Sequence, residues 1–172
     1  MRTIAVVPYD EKWSEAFCAE SLLLKDVLGE VAVTVHHIGS TAVHGLSAKP
    51  VIDILLEVST IGELDKYHSA MSSAGYVARG ENGIPGRRYF IKGSDRRSHH
   101  VHAFASGDEQ LVRHLAFRDY LRKNSDIAAA YAEVKHAAAL LCNNDAQGYS
   151  ALKAKFIERH LQLALTEGHD RN

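Results

Sequence analysis

The sequence predicts a mixed α/β (α+β) fold: a mixed β-sheet flanked by helices, followed by a helical C-terminal third. Three observations predict it. Val31 to Ile38 is rich in β-branched residues, Pro50 to Val58 is apolar almost throughout, and helical patterning runs through most of the chain beyond Leu111.

The elements follow in order. After an extended start at Thr3 to Val7, Asp10 has the chemistry to cap a helix carrying Trp13, Phe17, Leu24 and Leu28, which ends near Gly29. The strand Val31 to Ile38 stops at Gly39-Ser40-Thr41, where small residues let the chain turn. Pro50 to Val58 reads as a central strand covered on both faces, interrupted only by Asp53 and Glu57. Thr60 and Glu63 have capping-box spacing before a helix that runs to Gly75. Short strands follow at Tyr76 to Arg79 and Arg88 to Lys92, then a turn at Gly93-Ser94-Asp95 and a return strand from His99 to Phe104. Ser106 and Glu109 form a second capping box, and helical patterns occupy Leu111 to Lys123, Ile127 to Cys142 and Ser150 to Leu165.

The chain of 172 residues is long enough for one core without disulfides, so residues 1–167 are expected to form one domain and the polar end, 168–172, a flexible tail. Lys and Arg number 20 against 21 Asp and Glu, giving a net charge of −1, which disfavours broad nucleic-acid binding. Met1 to Asp10 has no secretion-signal pattern, and no stretch approaches the roughly 20 apolar residues of a membrane span. A cytoplasmic location is the expectation. Cys18 and Cys142 have no cysteine nearby in sequence and read as reduced core residues.

The most informative stretch joins a strand, a Gly-Ser turn, a basic residue and an acid on the next strand, from His37 to Leu55. Gly39 lets a phosphate approach the backbone, Ser40 and Thr41 offer donors, Lys49 neutralises charge, and Asp53 suits a divalent cation. Taken alone, a Gly-Ser turn is more often only a tight connection. A nucleophilic hydrolase is disfavoured, because Ser40 lacks the glycine spacing of a nucleophile elbow.

The whole block, Ile38-Gly39-Ser40-Thr41-Ala42-Val43, then Gly45-Leu46, Ala48-Lys49-Pro50 and Ile52-Asp53-Ile54, resembles the GrpB family. The resemblance continues in Arg88-Tyr89-Phe90, His100-Val101-His102, Phe117 to Arg122, and Tyr131 with Lys135. His44 departs from it, standing where the family commonly has Pro. The resemblance implies the nucleotidyltransferase fold and a nucleoside triphosphate bound with Mg²⁺ through Gly39, Ser40, Thr41 and Lys49. Asp53 would be the catalytic metal carboxylate and Arg88 would assist the phosphates; NMP would pass to a small-molecule acceptor.

That superfamily places two acids one residue apart on the strand after Gly-Ser. Here Asp53 fills the first position, but Leu55 stands in the second and Glu57 lies roughly 6 to 7 Å further on. This leaves two alternatives: a noncatalytic module that binds a nucleotide or coenzyme, and a metal-dependent phosphoesterase in which Asp53, His100 and His102 hold Zn²⁺ or Mn²⁺. Arg118 and Arg122 fit structural ion pairs as well as ligands, and Arg87 and Lys92 fit a solvated strand face better than a site.

Overall fold

Strands alternate their side chains, and the two faces of this sheet have different fates. The computed structural model describes residues 4–169, the side chain of His169 excepted; part of the extended start and of the tail lies outside the described residues. The strands are β1 (Ala32–Ile38), β2 (Ile52–Val58), β3 (Tyr76–Ala78), β4 (Arg88–Lys92) and β5 (His99–Ala105). They form one sheet in the order β1-β2-β5-β4-β3. Only β2 and β5 run parallel, and the chain between them crosses over through two short helices and a hairpin.

One face carries Ile52, Ile54, Leu56 and Val58 of β2, Val101 and Ala103 of β5, and Phe90 of β4, all buried. It packs against Trp13, Leu24 and Leu28 of α1 (Lys12–Leu28) and Met71 of α3 (His68–Ser73). Burying each of the larger side chains among these contributes about 1.5–3 kcal/mol. The N-cap of α1 is Glu11, whose side chain makes no capping bond; the expected residue, Asp10, stands one position earlier and its carboxylate accepts from the Lys12 amide at 3.0 Å, while Gly29 ends the helix with φ 55°. Thr60 likewise accepts from the Glu63 amide at 3.1 Å. The helix expected to run to Gly75 is instead split into α2 (Ile61–Asp65) and α3 by a turn at Lys66-Tyr67.

The other face presents Asp53, Leu55 and Glu57 beside His100, His102 and Phe104. It is covered on part of its length by α4 (Glu109–Lys123): Leu55 and Phe104 are fully buried and cluster with Ile38 and Leu111. The cap of α4 is Asp108, which accepts from the Gln110 amide at 2.8 Å, and not Ser106. Ser106 is still tied to the sheet, its amide donating to the Val58 carbonyl at 2.8 Å, so the helix begins two residues later than its spacing suggests.

Helices α5 (Ser125–Leu141) and α6 (Ala146–His169) complete the C-terminal part. Tyr131 stacks on Phe156 at 5.1 Å between ring centres, and Cys142 is buried with Ala138 and Tyr149. Cys18 corrects the expectation of two core cysteines: it lies on an exposed turn of α1. Among the described residues no helix is long and apolar enough to cross a membrane.

Candidate functional site

Where α4 leaves the sheet uncovered, the end of β2 opens into a cleft of about 750 Å³. Asp53 sits on its floor, paired across the sheet with Ile38 and His100. The loop after β1 enters the cleft through Gly39, whose φ is 72°. A Cβ there would come within 2.9 Å of Asp53 Oδ2, so both the backbone conformation and the close approach require glycine. Ser40 and Lys49 also line the cleft, on either side of the loop that joins β1 to β2. Lys49 lies over the Tyr149 ring with Nζ 4.7 Å from its centre. Thr41 reaches the same cavity, but its hydroxyl is buried and shares a 2.9 Å hydrogen bond with His37 Nε2.

His100 and His102 converge on the same carboxylate oxygen. His100 Nδ1 lies 3.3 Å and His102 Nε2 3.4 Å from Asp53 Oδ1. Those hydrogen bonds, acting against desolvation, hold the Asp53 carboxyl far below the usual carboxylate range. The carboxylate oxygen thus stands where a shared ion would be expected, and among the described residues no group of three or more His, Cys, Asp or Glu is arranged to hold a metal. The Zn²⁺ or Mn²⁺ triad is therefore not preformed. A lone carboxylate does suit Mg²⁺, which takes one or two protein carboxylates and completes its octahedron with phosphate oxygens and water.

Arg88 is not brought to the cleft. Alternation along β4 puts it on the opposite face, where Nε and Nη2 donate to the two Asp65 oxygens at 2.8 and 2.9 Å. The pairing raises the Arg88 pKa and lowers that of Asp65. Its neighbour Arg87 faces the site instead, with Nη1 3.3 Å from His102 Nδ1 and its guanidinium 4.9 Å from the Tyr89 ring centre. One step of strand parity separates the two arginines, and the one expected at the phosphates, Arg88, falls on the face away from the cleft.

The far wall is helical and was mostly missed in the sequence. Tyr131 and Lys135 on α5, and Tyr149 and Lys153 on α6, repeat one spacing of four residues, so each lysine lies over a tyrosine ring, at 4.7 and 4.1 Å. That repeated Tyr-x-x-x-Lys pattern was the available signal. Lys135 is buried and donates to the Ser47 carbonyl, pinning α5 to the loop before β2. Burial and the neighbouring Lys153 bring Lys135 down to about 7; burial and Lys49 bring Lys153 down to about 8. With Arg79 and Arg97 at the rim, three lysines and two arginines line a cavity whose carboxylate is Asp53.

Arg118 and Arg122 serve the scaffold. Arg118 donates to the His37 carbonyl at 3.1 Å and pairs with Asp119 at 2.9 Å, while Arg122 donates to the Ala42 carbonyl at 2.9 Å. Both secure the loop that carries Ser40. His44 points away from this cleft and lies edge-on to Tyr9, with ring centres 4.9 Å apart.

The resemblance read from the motifs holds over nearly the whole chain. Residues 3–163 match the family model described as GrpB protein. The UPF0157 protein YqkA of Bacillus subtilis is 46% identical over 134 residues, covering 78% of this chain; the matched part is 39% of that relative's own length. The crystal structure of the conserved protein GrpB from Enterococcus faecalis is similar with a TM-score of 0.90 at 40% identity, covering 95% of this chain and 98% of that one. The GLD-2/RNP-8 complex is similar with a TM-score of 0.59 at 13% identity, covering 85% of this chain and 51% of that one, a likeness of fold alone. The architecture is thus nucleotidyltransferase-like, and the chain belongs to the GrpB family.

Proposed function

We propose that the cleft binds the polyphosphate of a nucleoside triphosphate together with Mg²⁺. The observation that carries this reading is the charge balance of the cavity: Lys49, Lys135, Lys153, Arg79 and Arg97 line it, opposed by the Asp53 carboxylate. Lys135 and Lys153 have lowered pKa values because they are buried near other cations, and an anion placed among them removes that cost. Gly39 and Ser40 offer a close backbone approach beside Asp53, where Mg²⁺ would be held between the carboxylate and the phosphates. Thr41 contributes by fixing the loop through His37, and Arg88 has no part.

In a catalytic form of this reading, an acceptor hydroxyl or amine attacks the α-phosphorus and pyrophosphate leaves, with the lysines stabilising charge on the leaving group. A second reading, a binding module without turnover, is favoured by Leu55. This position, two residues beyond Asp53 on the same face, is fully buried under α4 and supplies no second carboxylate.

Isothermal titration with ATP, GTP, CTP and UTP, each with Mg²⁺, tests the common part. Saturable binding that falls at least tenfold in Lys153→Ala and loses its Mg²⁺ dependence in Asp53→Ala supports it. No binding to any of the four removes it. Pyrophosphate release on screening acceptors then separates the enzyme from the module.

A further inference from the structure

Asp53 has a second side. Together with Gly39 and His102 it also lines a smaller pocket of about 220 Å³, which extends from the cleft between β1 and α4. The walls are Ile38, Phe117 and Leu121, and the polar group they surround is the imidazole of His114. His114 packs its ring against those of His102, at 5.6 Å, and Phe104, at 6.0 Å, yet makes no hydrogen bond or ion pair among the described residues. Arg118, also at this pocket, is already committed to Asp119 and the His37 carbonyl.

The pocket therefore combines an apolar wall, a carboxylate and an imidazole lacking a partner. A ligand that satisfies both polar groups donates to the carboxylate, meets the imidazole through its N–H or its acceptor nitrogen, and buries carbon at the other end. Size narrows the class further: at roughly 30 Å³ per water the cavity holds the equivalent of about seven waters, too little for a nucleotide residue but adequate for one small ring.

We propose that this pocket binds a compact, largely apolar molecule ending in a hydroxyl or amino group, which His114 and Asp53 orient beside the triphosphate cleft. Its role as acceptor subsite rests on the nucleotide reading above; the binding itself does not. In that role the acceptor oxygen or nitrogen forms the new bond to the α-phosphorus, the bond to pyrophosphate breaks, and the acceptor's proton passes to His114.

Benzyl alcohol is a suitable probe, titrated into the 172-residue chain labelled with ¹⁵N at histidine, with and without ATP and Mg²⁺. The expected result is a saturable shift of the His114 and His102 ring signals, intermolecular NOEs from the probe ring to Phe117 and Leu121, and affinity about tenfold weaker in His114→Phe. Absence of a saturable shift, NOEs confined to residues outside the pocket, or unchanged affinity in a folded His114→Phe protein would each overturn the proposal. The NOEs are read on wild type, so the test survives a variant that does not fold. ATP binding without probe binding removes the subsite alone. Probe binding without ATP binding keeps the subsite, but overturns its acceptor role along with the nucleotide reading.

Discussion

The two faces of the sheet treat positive charge in opposite ways. On the face covered by α1 and α3, Lys92 donates to Glu20 at 2.7 Å and Arg88 grips Asp65, so each cation has its own carboxylate. Glu20 also accepts from the Tyr76 hydroxyl at 2.6 Å, which ties α1 to β3 and β4. On the cleft side, Lys49, Lys135 and Lys153 approach one another over tyrosine rings, and burial together with mutual repulsion pushes Lys135 and Lys153 toward neutrality. Cations matched by carboxylates within the fold hold it together, whereas a cavity lined by more cationic than anionic side chains favours an anion. Basic residues on neighbouring strand positions thus belong to different tasks, and only side-chain direction separates them.

The contrast can be broken most severely at Leu55. Leu55→Asp, which would complete the two-acid pattern on paper, is expected to destabilise the protein by about 4 kcal/mol or more, since it puts a carboxylate among Ile38, Phe104 and Leu111. Chemical denaturation would show it, and a variant as stable as wild type would mean that this part of the sheet is more accessible than its packing indicates. Glu20→Ala should follow, costing about 3 kcal/mol because Lys92 and Tyr76 both lose a buried acceptor. Nucleotide binding by the folded fraction should be unaffected.

The cleft side is sharpened by pH. Free Lys135 and Lys153 titrate near 7 and 8, below an ordinary lysine at 10.5, so raising the pH through this range discharges the free protein. Triphosphate affinity should fall about tenfold between pH 7 and 9, and calorimetry at pH 8 in buffers of different ionisation enthalpy should reveal proton uptake on binding. Stability without ligand should move the other way. The folded protein bears the cost of two confined charges below pH 7, and that cost is relieved as the pH climbs toward 10.5. The smallest effect belongs to Arg88→Ala: at most about 1 kcal/mol of stability, because Asp65 is half exposed, and triphosphate affinity within twofold of wild type. A larger loss of affinity would return Arg88 to the site.

Much of this could be read before any coordinates. The β-branched run, the apolar strand around Asp53 and the capping residue Thr60 act through local backbone chemistry, which is why their positions held. The Gly39 to Asp53 block was legible for a related reason: its residues are close in sequence, and one short connection brings them together. Local rules gave out where contacts at a distance compete. The Tyr67 region broke a helix that spacing would continue, and Asp108 displaced Ser106 as a cap.

What the sequence determined by itself was the order and type of the elements, the family, and the presence of one acid where a pair would be expected, because each depends on residue identity and near neighbours. Tertiary structure alone decided that Arg87 reaches His102 while Arg88 pairs with Asp65 on the opposite face, that Leu55 is core, and that Lys135 and Lys153 close the cleft from two later helices. These outcomes depend on strand pairing and helix docking across more than 80 residues of chain, as the contact from Lys135 to Ser47 illustrates. Burial and electric field at a side chain are properties of all its neighbours in space, so they exist only once the distant parts have met.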